Sequence, residues 1–218
     1  SGNTVTAVGD LQAGCPAPNS PGSYGSFGGV GTVAADGSFE VAPKGTIPSG
    51  ANVIVLSGKV PAAGATSWSG TYSVSVQGKS GCQGPFTATA FPVVDATYTG
   101  ELMTTGYAKP TGVVVALRLT QGSAQILQTD SGPSGYLPLS GTVTVSGASC
   151  FTRGTIQLPY ESYIGGSLVM AVFTMDDGSQ MKVWGTLDST DELAISLVGV
   201  SVSGGKCNAS YVGTLQRQ

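Results

Sequence analysis

Asp176 and Asp177, with Glu161 upstream of them, are the side chains with which this chain could best do acid–base chemistry. Paired carboxylates carry glycoside hydrolysis, one donating a proton while the other acts as base or nucleophile. A second acidic group, Asp188, Asp191 and Glu192, has the same composition. Both groups sit in stretches that read as turns, where aspartate accepts hydrogen bonds from the backbone just ahead of it. Asp176-Asp177-Gly178 offers oxygens to calcium, but the spacing of an EF-hand loop is absent. The chain has 0 histidines, which removes Ser/His/Asp and Cys/His nucleophile arrangements. No GxSxG elbow occurs. Ser203-Gly204-Gly205-Lys206 and Ser179-Gln180-Met181-Lys182 match a Ser-x-x-Lys string, but they read as a hairpin loop and a strand instead of a helix start. The sequence therefore assigns no catalytic residue, no cofactor and no metal, and the expectation is a non-enzymatic extracellular or cell-surface protein that binds a glycan or protein or serves as a structural or assembly module. The alternative is a carbohydrate-active enzyme working through carboxylates such as Asp176 and Glu161.

Aromatic residues in loops are the stronger lead. Tyr24 and Phe27 lie in the Gly-, Ser- and Pro-rich stretch from Pro16 to Gly29, and Tyr136 lies within residues 131–138. Tyr160 and Tyr163 flank Glu161. Binding residues concentrate on loops carried by a rigid scaffold, and tyrosine joins an apolar ring to a polar tip. These five are the candidate ligand contacts for a glycan or protein surface. The competing reading folds the same rings back over the ends of a β core. Trp68 and Trp184, in or beside strands, read as core residues.

The elements that must position these groups are strands. Glycine and proline number 34 and 12, which defeats long helices and suits short strands joined by turns. Period-two alternation is widespread: Val113, Val115, Leu117 and Leu119 face one way, and Thr142, Thr144 and Ser146 alternate with Val143 and Val145. Asp36-Gly37 and Asp177-Gly178 are hairpin signals that need positive φ. Strands are expected near 97–104, 113–121, 124–130, 137–147, 151–159, 167–175, 179–187, 192–202 and 209–217.

Part of this pattern occurs twice. Cys15, Gly31-Thr32-Val33, Ser57-Gly58-Lys59-Val60 and Cys82 recur in order as Cys150, Gly154-Thr155-Ile156, Trp184-Gly185-Thr186-Leu187 and Cys207. Repeats decide architecture. The expectation is an all-β protein of two related antiparallel units, each an up-and-down β-barrel or part of a two-sheet β-sandwich, with one disulfide per unit. Residues 1–92 form an incomplete unit and 93–218 a fuller one of eight or nine strands. The first unit lacks counterparts of the strands at 97–130, so an open sheet edge is expected, and with it self-association.

Repeat symmetry pairs Cys15 with Cys82 and Cys150 with Cys207, one of three connectivities that four cysteines allow. Disulfides point to an oxidising compartment, extracellular or in the cell envelope. Charged residues are only 10% of the chain, net charge is −3, and the nine cations are scattered. Without a basic stripe nucleic acid is not an expected partner. No apolar run reaches the roughly 20 residues of a membrane helix, and no signal peptide is evident, so the chain reads as a mature form.

The phrases Ala96-Thr97-Tyr98-Thr99-Gly100-Glu101-Leu102, 139–151 (from Leu139-Ser140-Gly141-Thr142 to Cys150-Phe151) and Tyr211-Val212-Gly213-Thr214-Leu215 carry a resemblance. They resemble β-rich repeat proteins among the uncharacterised secreted lipoproteins of soil acidobacteria. The resemblance covers about 130 residues of the second unit well and the first unit loosely. It implies a cell-envelope or extracellular setting and brings no catalytic residues. The cysteine that would accept a lipid is missing here.

Overall fold

The computed structural model describes residues 4–12, 24–43, 52–62, 65, 67–76, 79–89, 93–106, 109–129, 132–149, 151–165, 167–187, 195–204 and 208–218. Among these the structure is all β, apart from a three-residue 3-10 turn at Pro159–Glu161, and forms two antiparallel sheets. The chain divides into two compact units, Ser1–Ala90 with Ala124–Tyr136, and Phe91–Ser123 with Leu137–Gln218.

In the first unit, β1 (Thr4–Gln12), β2 (Tyr24–Val33), β3 (Ser38–Pro43), β4 (Asn52–Lys59), β5 (Ser67–Val76) and β6 (Lys79–Thr89) pair in chain order. Among the described residues β1 pairs with β2 alone and β6 with β5 alone. Alternation sorts the two faces. Tyr72, Val74, Cys82, Phe86 and Ala88 are covered or half-covered, whereas Ser69, Thr71, Ser73, Gln83, Pro85 and Thr87 are exposed. The core is small, Val41 and Ile54 with Val5, Ala7, Phe39, Leu56 and Val74 packed around them. A hairpin of β9 (Gln125–Thr129) and the first residues of β10 (Gly132–Ser146) falls in the same unit.

The second unit holds β7 (Asp95–Thr104), β8 (Pro110–Gln121), the rest of β10, β11 (Arg153–Thr155), β12 (Tyr163–Gly165), β13 (Leu168–Met175), β14 (Gln180–Leu187), β15 (Ile195–Ser203) and β16 (Ala209–Arg217). β13 to β16 pair successively, and β16 pairs with β7, β7 with β8 and β8 with β10. β11 and β12 both lie between β10 and β13, so the path of paired neighbours returns to its start. Val113, Val115, Leu117 and Leu119 of β8 face inward as the alternation predicts. They join one cluster that includes Tyr98, Leu102, Leu139, Val143, Phe173, Met181, Val183, Val200 and Leu215.

The strand expected at 151–159 is reduced to β11, and the 3-10 turn separates it from β12. Pro159 lacks an N–H and cannot continue the ladder. Ser162, fully buried, fills the break. Its carbonyl accepts from Leu139 N–H at 2.8 Å and its Oγ from Val172 N–H at 2.9 Å. One residue thereby stands in for a missing stretch of strand. Trp184 also departs from expectation: β14 turns Val183 and Gly185 inward and leaves Trp184 39% exposed on the outer face.

Both copies of the repeated Gly-Thr pair press against the next strand of their sheet. A Cβ on Gly31 would strike the Glu40 carbonyl of β3, and one on Gly154 would lie 2.6 Å from Met175 Sδ and 2.9 Å from the Thr174 carbonyl of β13. Glycine is required at both places by close backbone approach.

Two stability outcomes follow. Ser162→Ala strips a buried N–H of its acceptor and should lower the free energy of urea unfolding by about 1–3 kcal/mol. Tyr98 has 0% exposure, its hydroxyl has no hydrogen-bond partner among the described residues, and burial pushes its phenol pKa up. Removing an unsatisfied polar atom from an apolar site is neutral or favourable. Tyr98→Phe should therefore leave the urea midpoint unchanged or raise it, and a clear fall would show that the hydroxyl is partnered.

Candidate functional site

The carboxylates are placed by turns and loops, and most that can be described serve the backbone. Asp36 and Asp177 each open an Asp-Gly-Ser turn, with Gly37 at φ 81° and Gly178 at φ 83°. In the first turn Asp36 Oδ1 accepts from Ser38 N–H at 3.0 Å and from its hydroxyl at 2.6 Å. In the second Asp177 Oδ1 accepts from Ser179 N–H at 2.9 Å and from its hydroxyl at 2.5 Å. A side-chain oxygen thus locks the residue after the positive-φ glycine, which is why the same three residue types recur.

Asp176 works over a longer distance. Its carboxylate accepts from Thr152 N–H at 3.2 Å and from Thr152 Oγ1 at 2.5 Å, while its own N–H donates to the Arg153 carbonyl at 2.8 Å. It ties the segment entering β11 to the end of β13. The Thr152 hydrogen bonds hold its carboxyl below the usual aspartate range. A general acid in glycoside hydrolysis needs the opposite displacement. Asp95 accepts from Arg118 at 2.7 Å and Thr120 at 3.2 Å, again with a lowered pKa, chiefly from the Arg118 hydrogen bond. Glu101 accepts from Gly112 N–H at 3.0 Å. Among the described residues no three of His, Cys, Asp and Glu come together as a metal site.

The aromatic candidates are dispersed. Tyr24 and Phe27 lie in strand β2, and their side chains fall outside the described residues. Tyr136 is half-buried at the base of the β9–β10 hairpin, where its hydroxyl donates to Gln125 Oε1 at 3.1 Å across a directly paired position. Tyr160 stands in the 3-10 turn and is 60% exposed. Tyr163 is half-buried in β12. Of the expected disulfide cysteines, Cys82 is in β6 and is disulfide-bonded, while Cys15, Cys150 and Cys207 lie outside the described residues. Asp188, Asp191 and Glu192 lie outside them as well.

Strand register groups what the sequence kept apart. Pro138 of β10 opposes Tyr163 of β12, Tyr163 opposes Met170 of β13, and Met170 opposes Trp184 of β14. The row continues through Gly199 of β15 to Val212 of β16 and Met103 of β7. Directly opposed residues share a face, and Tyr163, Met170, Trp184, Val212 and Met103 all lie outside the buried cluster. The neighbouring outer rows are more polar: Val172, Lys182, Ser201 and Ser210 form one, and Thr174, Gln180 and Ser203 the next. Trp184 was hidden from sequence reasoning because an aromatic in a strand looks the same whichever face it takes; counting parity from Val183 would have found it.

No protein-family model, curated protein or solved structure matches this chain.

The lowered carboxyls carry a pH signature. A carboxyl whose folded pKa lies below its unfolded value adds stability that is fully present above the unfolded value, here 3.8, and lost as pH falls through the folded one. Thermal unfolding temperature should therefore fall as pH drops from about 5 toward about 2. In Asp176→Asn that fall should be smaller, while the melting temperature at neutral pH is already reduced. Identical acid profiles for the two proteins would contradict the assignment.

Proposed function

We propose that this chain is a non-enzymatic extracellular or cell-surface β-protein whose task is binding. The observation that carries the reading is the use of its carboxylates: Asp36, Asp95, Asp176 and Asp177 all accept hydrogen bonds that hold turns, loops and strand ends together. A carboxylate held ionised by two hydrogen bonds from one threonine is suited to latching a loop and poorly suited to donating a proton. The low charge and hydroxyl-rich exposed faces fit a neutral ligand better than a polyanion.

The scaffold belongs to the same proposal. The second unit is read as a closed barrel because β8 pairs with both β7 and β10. One disulfide per unit, Cys15–Cys82 and Cys150–Cys207, is the pairing that repeat symmetry favours, and peptide mapping without reductant tests it. β1 and β6 supply the sheet edges through which copies of the first unit would pair.

The deciding experiment incubates the purified chain with a panel of polysaccharides and measures released reducing ends. The expected outcome is no release above the protein-free control. Release that Glu161→Gln or Asp176→Asn abolishes would establish the carbohydrate-active enzyme in place of the binding protein.

A further inference from the structure

We infer that the outer row Tyr163–Met170–Trp184 is a stacking platform for a neutral polysaccharide chain lying across strands β12, β13 and β14. The inference rests on the binding reading above and names its site and ligand class.

The geometry of the row comes first. Tyr163 and Trp184 are two strands apart, roughly 9.6 Å at the usual interstrand spacing, with Met170 directly between them. The Tyr163 ring leans along its own strand, with ring atoms 3.7 and 3.9 Å from where a Cβ of Gly165 would stand. On the far side Trp184 opposes Gly199, which has no side chain to cover the indole. An aromatic whose cross-strand neighbour on one side is a glycine keeps part of its face open, which accounts for its 39% exposure. Tyr160 stands on the turn that packs against β13, and Leu168 is exposed two residues before Met170.

The occupant follows from area and chemistry. Trp184 and Val212 of this row and Leu168 beside it are 39%, 36% and 38% exposed, so the apolar surface on offer is on the order of a few hundred Å². A stable protein interface needs about 800 Å² on each side, so the row is too small to hold a second copy or another folded protein by itself. It is wide enough for a chain one sugar across. A sugar ring presents C–H groups on its face and hydroxyls on its rim. The rings of Tyr163 and Trp184 match the face, with the Met170 thioether as a pliable floor between them. Ser201 and Ser210, in the neighbouring outer row, match the rim with neutral donors and acceptors. Lys182 is the one cation in those flanking positions, too little to favour a polyanionic glycan.

Affinity electrophoresis through gels containing β-glucan, mannan or xylan, with polyuronate as the charged comparison, tests the site. The wild-type chain should be retarded by at least one neutral polymer and not by polyuronate, and Trp184→Ala should weaken that retardation by about tenfold or more. Met170→Ala gives a second variant on the same row, and unchanged thermal unfolding of either variant shows that the loss is not a folding defect. In a Trp68→Phe background Trp184 is the remaining indole, and its fluorescence should shift on titration with the retained polymer. Retardation of wild type and Trp184→Ala to the same extent would overturn the platform while leaving a glycan-binding protein. Retardation by no neutral polymer would overturn it too, while leaving a non-enzymatic protein with a different partner. Polymer hydrolysis is a separate readout and bears on the broader reading alone.

Discussion

The antiparallel ladder between β8 and β10 is the constraint on which the second unit depends. Eight consecutive registered pairs, from Leu139 opposite Gln121 to Ser146 opposite Val114, join the strand at one end of the chain path to the strand at the other. Without them both strands would be edges, with unpaired N–H and C=O groups. With them β8 and β10 each have a paired neighbour on both sides. Register then has no freedom: a slip of one residue would turn Leu117 and Val143 to solvent and bring Arg118 and Thr142 into the core. The outward placement of Trp184, Met170 and Tyr163 follows from the same locked parity.

Irregular places in this sheet are repaired by hydrogen bonds from small polar side chains. Ser162 spans the gap between β11 and β12, Asp176 holds the segment entering β11, and Asp177 with Ser179 closes the turn into β14. These residues carry the chemistry that a search for catalysis notices first. The partners described for them are backbone groups and hydroxyls of the same chain. Among the described residues the outer face of the second unit carries serine, threonine and glutamine side chains beside the row that holds Met170 and Trp184.

The first unit is built by the same rules with less to bury. Its meander alternates as cleanly, its Asp-Gly-Ser turn has the same hydrogen bonds, and its repeated glycine presses on the next strand as its counterpart does. Among the described residues its compact core centres on two buried apolar residues, Val41 and Ile54, where the second unit has a continuous cluster. Such a sheet relies on backbone pairing and turn chemistry more than on burial.

The sequence by itself determined the class and most of the strand plan. Glycine and proline content excluded long helices, and alternation in Val113–Leu119 and Thr142–Ser146 marked which side chains face the core. Positive-φ Asp-Gly pairs marked where the chain reverses. These are local properties, legible because each depends on residues a few positions apart. Sequence could not give the interruption at Pro159, whose repair by Ser162 needs strands β10 and β13 to be in place. Nor could it gather Tyr163, Met170 and Trp184 into one row, since neighbours across a sheet are set by register between strands. The candidate binding surface is a product of long-range pairing, and only the tertiary structure decided it.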